Sequence, residues 1–457
     1  MGLFIFRRKT WLGILIIGGL GIIAAYGAYL YFFLSGSKLQ EVIAEADRLD
    51  PGWRLEELEQ KQEVISDDEN GALVIQAAIK LWPAQPNSGK DEFWAEGGME
   101  DSIIALPLVI QLNAEQREAL KQELNKASAA LQEAHKLDHL SRGRFPESGS
   151  RLNGSAGMAC QDARRIANLL YLHSVLQAQD NQPDAALATA LAVLNGGRSI
   201  GDEAISLPQL VRMSCGILAL RNLERVLAQG EPLAEKLLAA QRSLEDEARK
   251  PLLLRAARGD RADTFQKVSI TEMPFFRPGN LPGILQLQTK CVEAAKLTPE
   301  ELRSRLPELK AEASRLDPFS TRYFSTFEKL AQASIRHQAC LRCAYVGLAA
   351  ERYRQINRRW PDALAALVPE FLKELPADPY DSSPLKYRRL DDGIVIYSVG
   401  PDGQDNGGKL DRQNPTAPGT DIGFQLWDVP QRRQPWRPPP KMAAIKEKQP
   451  HQNRKNE

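Results

Sequence analysis

Apolar side chains fall into three regimes along this chain: one unbroken run, a long stretch at helical spacing and a short stretch at strand spacing. The run is Trp11–Leu34, 24 residues without a charge. At about 1.5 Å per residue it is long enough to cross a hydrocarbon layer of roughly 30 Å. Arg7, Arg8 and Lys9 precede it, while Trp11 and the group Tyr26, Tyr29, Tyr31, Phe32 and Phe33 lie toward its ends, where aromatic rings favour the headgroup region. A cleaved signal peptide has a shorter apolar core and a small-residue cleavage site, so the pattern predicts an uncleaved anchor in the bilayer at residues 11–34. Only Lys38 and Arg48 oppose the three preceding cations. Residues 1–10 are therefore expected in the cytoplasm, and the bulk of the chain outside the cytoplasmic membrane. Gly18, Gly19, Gly21, Ala24, Ala25 and Ala28 would allow two such helices to approach closely, which makes self-association an expectation.

The second regime spans residues 35–318. Helices are predicted over Lys38–Leu49 and Asp68–Leu81, with a Pro/Gly-rich loop from Trp82 to Gly98. Pro51 is placed to open a short helix between the first two. From Ala114 to Leu140 the positions Leu120, Leu124, Ala127, Leu131 and Ala134 keep to one helical face. Met158–Gln179 and Ala185–Asn195 read as a hairpin turned at Asn181–Asp184, followed by Leu207–Gln229 and Pro232–Ala248. No repeat of fixed length links these pairs, so an irregular bundle or an α-solenoid-like stack is expected. Residues 255–283 mix charges with prolines and are predicted to cross irregularly. Thr298-Pro-Glu-Glu301 is a helix start, with a cap, proline and acids in the first turn. A long helix over about Phe319–Asn357 comes next.

In the third regime the period changes to two. Leu385-Lys-Tyr-Arg-Arg389 and Gly393-Ile-Val-Ile-Tyr-Ser398 flank the turn Leu390-Asp-Asp-Gly393 and predict a hairpin, with Phe424-Gln-Leu-Trp427 as a third strand. A long helix covered by a small antiparallel sheet makes residues 319–428 an α+β module.

The order of motifs here is Arg359-Trp-Pro361, Leu375-Pro-Ala-Asp-Pro-Tyr380, the Tyr387-Arg388 strand, Tyr397-Ser-Val-Gly-Pro-Asp-Gly403 and Asp421-Ile-Gly423. In this order the chain resembles the globular part of the major pseudopilin of type II secretion systems, over residues 341–428. As a whole it resembles single-pass bacterial membrane proteins that join an anchor, a helical middle and such a module. The pseudopilin resemblance implies a calcium loop, with Asp402 as the acid of the turn, Val399 offering a main-chain carbonyl, and Asp411 and Asp421 as later acids. Calcium takes six to eight oxygens at about 2.3–2.6 Å, which a Gly-rich acidic loop can supply. Asp, Asn and Gly also form turns with no ion, and that reading stays open. An EF-hand is excluded, because Gln413 stands where the twelfth-position Glu is required. About 300 residues separate anchor from module, and no acid lies within 11–34, so filament assembly is not implied.

Charge changes the picture at one end only. The 59 basic and 58 acidic side chains leave +1, with no global nucleic-acid footprint. Gln431–Glu457 alone carries +6 and is rich in Pro and Gln, so residues 429–457 are expected to be a disordered basic tail. Candidate chemistry is sparse. His135 and His139 could share a helix face, but Lys136 stands where a zinc peptidase needs Glu. Asn153-Gly-Ser-Ala-Gly157 lacks the first glycine of a nucleophile elbow. Cys340-x-x-Cys343 lies within a predicted helix and has no second pair. The sequence reads as a mainly α, non-catalytic, membrane-anchored envelope protein with unknown envelope partners. The alternatives are a calcium-dependent structural component of a secretion or pilus-like machine and, third, an envelope hydrolase.

Overall fold

The computed structural model describes residues 36–83, 98–146, 155–269, 281–316 and 318–437. The predicted anchor at 11–34 lies outside them; among the described residues no helix is long and apolar enough to cross a membrane. Helix α1 covers residues 36–49 and buries Val42 and Ala46 against Trp53 and Leu285. Pro51 does not open the next helix. Asp50 is drawn inward by Arg258 and Arg261, and α2 (Leu55–Gln60) starts only after Arg54, whose N–H donates to the Glu57 carboxylate. The expected helix from Asp68 begins later for a related reason. Asp67–Glu69 form one 3-10 turn, and Asn70 then caps α3 (Gly71–Leu81) by accepting from Ala72 N–H.

Helix α4 spans Met99–Ala105 and α5 spans Ala114–Lys126, the latter opened by a reciprocal cap between Asn113 and Gln116. The single helix expected over 114–140 breaks at Ala127. A short α6 (Ser128–Ala134) and a 3-10 turn at His135–Asp138 follow, which lets Leu131, Ala134 and Leu137 reach the same core from a changed direction. Then α7 (Ser155–Gln179), α8 (Pro183–Arg198) and α9 (Ser206–Gln229) pack on one another as the centre of the helical body. Helix α10 (Ala234–Ala248) lies against the last long helix. Residues 255–269, part of the stretch 255–283 expected to cross irregularly, belong to helix α11 (Leu252–Ser269). Its charges suggested a crossing, but Arg258 and Arg261 point at Asp50 while Leu252, Leu253, Ala256 and Ala257 fill a core. Helices α12 (Leu281–Ala295) and α13 (Pro299–Leu316) lead into α14 (Pro318–Asn357), 40 residues long.

The C-terminal half of α14 carries the sheet. Strands β1 (Lys386–Arg389), β2 (Gly393–Ser398) and β3 (Ile422–Trp427) form an antiparallel sheet in the order β1-β2-β3. Tyr387 pairs with Ile396, and Ile396 with Phe424. All of β2 is buried, as befits a central strand covered on both faces. Gly347 of α14 makes room for Phe424; a Cβ there would stand 2.6 Å from the ring. The molecule is thus mainly helical with a small three-stranded antiparallel sheet.

The core does not divide at residue 318. One apolar cluster runs from Ile75 and Leu170 through Leu223 and Leu348 to Ile396 and Phe424. A second joins Leu253, Leu306 and Phe327 to Tyr380, Val399 and Ile422. Nor is the whole of 429–457 a free tail. Val429–Gln431 make a 3-10 turn, and the chain as far as Arg437 is described, with Gln434 bridging to Ile110. Residues 438–457 lie outside the described residues.

Candidate functional site

Asp378, in the turn between α14 and β1, fastens the loop region of the module. Its carboxylate is buried and accepts from Ser398 Oγ at 2.7 Å, Val399 N–H at 2.8 Å and Tyr380 N–H at 2.8 Å. Burial raises its pKa, and these donors partly oppose the rise. The consequence is geometric. Residues 398–400, where β2 ends, are tied to the turn at 378–383, so the following loop leaves from a fixed point. The sequence displayed Asp378 within a motif and gave no sign of this role, because its partners lie some 20 residues downstream.

The loop from Gly400 to Asp421 is organised by three carboxylates and one amide. Asp421 is buried and accepts from Asn406 N–H at 3.2 Å and Gly408 N–H at 2.7 Å. Burial raises its pKa against these bonds. Asp402 is exposed; its oxygens accept from Gln404 N–H at 3.0 Å and Gly419 N–H at 2.9 Å, bonds that lower its pKa. Asp405 accepts from Tyr397 Oη at 3.0 Å and Gly407 N–H at 2.9 Å. At the centre, Asn406 Nδ2 lies 3.0 Å from the Gln404 carbonyl, 3.3 Å from Asp402 Oδ2 and 3.5 Å from Asp421 Oδ1. Three oxygens therefore converge on one point, which an amide donor fills. Gly408, at φ +79°, brings the backbone against Val395 and the Tyr397 ring, where a Cβ would stand 2.6 Å from Val395 Cγ1.

The four sequence candidates separate under this geometry. Asp402 and Asp421 share the Asn406 amide. Val399 supplies its N–H to Asp378 and its side chain to the core. Asp411 stands in its own turn, accepting from Gln413 and Asn414 N–H at 2.9 and 2.8 Å, which hold its pKa down. Two carboxylates and one carbonyl converge there, fewer oxygens than the six to eight calcium takes, and the Asn406 amide nitrogen occupies the point between them. Among the described residues no group of three or more His, Cys, Asp and Glu side chains is placed to hold a metal.

Elsewhere the sequence candidates take other partners. His135 does not join His139. Its Nε2 lies 2.9 Å from His173 Nδ1, and its Nδ1 lies 3.3 Å from Asp138. Burial lowers the His173 pKa to about 4, with His135 adding to the effect. Cys215, Cys291, Cys340 and Cys343 are free thiols. Burial raises Cys340 to about 12 and Cys343 well above its ordinary value, the reverse of an activated thiol.

Buried ions join the module to the helical body, and sequence reasoning missed them. Glu351 of α14 is fully buried between Arg354 at 2.7 Å and Arg432 at 2.9 Å. Burial pushes its carboxyl pKa up, but the two guanidiniums outweigh this and hold it below the ordinary value. Glu224 of α9 accepts from Arg412 in the loop and from Gln425 N–H of β3 at 2.8 Å. Arg433 reaches the carbonyls of Ala178 and Gln229 at 2.7 and 3.1 Å. No family model, curated protein or solved structure matches this chain.

Proposed function

We propose that this protein is a non-catalytic, membrane-anchored component of the bacterial envelope, whose helical body holds a pseudopilin-like module outside the cytoplasmic membrane. The observation behind the reading is the junction. Glu351 and Glu224, both buried, bind arginines of the module and of the segment after it, so the sheet and its loop are carried rigidly by α9 and α14. A rigid carrier suits presentation of the loop to other envelope proteins, and the uncharged run at 11–34 would supply the attachment to the bilayer.

A second reading, as a calcium-dependent structural component of a secretion or pilus-like machine, is favoured by the three oxygens that converge on Asn406 Nδ2. One experiment addresses both. The full chain is crosslinked in bacterial membranes, with and without a calcium chelator, and its partners are identified by mass spectrometry. The first reading expects envelope proteins in the membrane fraction under both conditions. The second expects partners of a secretion or pilus machine that are lost with chelator and in Asp402→Ala. Recovery of the chain in the cytoplasmic fraction sinks both.

A further inference from the structure

Helices α13 and α14 run antiparallel and carry matching stripes, exposed at Lys310 and Lys329 and buried at Leu306. On α13, Arg303, Leu306, Pro307 and Lys310 stand at i, i+3, i+4 and i+7. On α14, Lys329, Gln332, Ala333 and Arg336 repeat that spacing. Each set shares one helix face, and each begins and ends in a cation. Between them lies an open cavity of about 670 Å³, lined also by Tyr380, Pro401 and Thr416. Pro307 lies inside α13, where it removes one rung of the helix ladder and its ring crowds the carbonyl of Arg303. That break falls on the wall of the cavity and works against close packing of the two helices there.

The charges in this cavity do not balance. Its lining holds four cations and one carboxylate, Glu328, and Lys310 takes that carboxylate at 3.1 Å. Arg303 stacks on Tyr380, 5.5 Å from the ring centre, and donates to the carbonyls of Tyr380 and Pro401, which leave its charge uncancelled. Lys329 pairs with no carboxylate among the described residues. Arg336 is the informative residue. It is half-buried, its Nε is closed off from solvent, and it has no hydrogen-bond partner among the described residues. A guanidinium N–H shut off from water without an acceptor is costly, and an anion in the cavity would answer it.

We propose that this cavity binds a phosphate monoester, with the phosphate on Arg336 and Lys329 beside Arg303 and the organic part against Leu306, Ile335 and Tyr380. A phosphate monoester carries −1.5 to −2 near neutral pH, which answers cations that a single carboxylate would leave in excess. Guanidinium and phosphate also match as a two-pronged hydrogen bond. The site is independent of the function proposed above and touches the 400–421 loop through Pro401 and Thr416, so its occupant would contact that loop directly.

The test uses the full chain in an uncharged detergent, titrated calorimetrically with inorganic phosphate, phenyl phosphate and dihexanoyl phosphatidic acid. Saturable one-to-one binding of phenyl phosphate, at least tenfold tighter than inorganic phosphate, supports a small soluble ester. Tighter binding of the phosphatidic acid supports a lipid headgroup as the source of the same group. Arg336→Gln should weaken the better probe at least tenfold without lowering the melting temperature of the ligand-free protein. Lys329→Gln, at an exposed position that folding does not need, should weaken it at least threefold. Failure of all three probes to bind below 1 mM overturns the proposal, as does unchanged affinity in both variants.

Discussion

Glu247 shows how a single side chain can set the acid limb of stability. It is buried on α10 between Arg198 and Arg212, with Nε contacts of 2.8 and 2.9 Å. Burial favours its neutral form, yet the two guanidiniums win and its pKa falls from 4.5 to about 2. A depressed carboxylate contributes stability that is present above the unfolded value and lost as pH falls through the folded one. Asp260 behaves in the opposite sense. Burial, only partly offset by Ser206, raises it from 3.8 to about 6, so stability falls as pH rises from about 4 to about 6 and the full cost of its charged form is carried above that. Urea unfolding at pH 3, 5 and 8 should therefore give Glu247→Gln a penalty of about 3–5 kcal/mol at pH 5 and 8 that shrinks at pH 3. Asp260→Asn should narrow the stability difference between pH 5 and pH 8. An unchanged pH profile in either variant would contradict the assignment for that residue. Neither group was legible in the sequence, because Glu247 meets arginines 49 and 35 positions away. The acids at Asp402 and Asp421 were legible through the order of turn motifs, whereas the Asn406 amide that joins them was not. Only the folded loop brings Asn406 between the two.

Two elements with local signals came through as read. Thr298 caps α13 where a helix start was expected, and Glu301 returns the bond, with N–H contacts of 3.1 and 3.3 Å. The β1–β2 hairpin turns at Leu390–Gly393, as its alternating positions predict. The α11 helix was lost because its charges served a distant partner, Asp50, more than 200 residues away. Contact between elements is also invisible to periodicity, and Gly347 is the clearest case. In an exposed helix interior, replacing Gly by Ala gains about 1 kcal/mol. Here the added methyl would meet the Phe424 ring, held in the sheet through its pairing with Ile396. Gly347→Ala should instead destabilise the protein by about 1–3 kcal/mol through overpacking. The double variant Gly347→Ala, Phe424→Leu should recover part of that loss, because two residues in contact do not act additively. A stabilised single variant would show that the fit between α14 and β3 is slack.

At the scale of the molecule, the module and the body share apolar clusters, and the path of the chain after β3 ties them further. A boundary at residue 318 groups α14 with the sheet that covers it, since strand spacing begins only after that helix ends. Packing ignores that boundary. The same apolar cluster holds Leu170 of α7, Leu223 of α9 and Ile396 of β2. The segment after β3 then returns to the body, where Arg432 meets Glu351 and the Gly230 carbonyl, and Gln434 N–H meets Val109. Breaking one partner out of a buried ion pair costs about 3–5 kcal/mol. In two loosely joined domains that loss would stay near the pair; in one cooperative structure it lowers the opening free energy of every element that shares the core. Native-state hydrogen exchange on Arg432→Ala should thus show the slowest amides of α7–α9 and of β2–β3 losing protection by the same amount. Exchange confined to the sheet, with α7–α9 unchanged, would mean that the module opens by itself and that the 400–421 loop is carried flexibly.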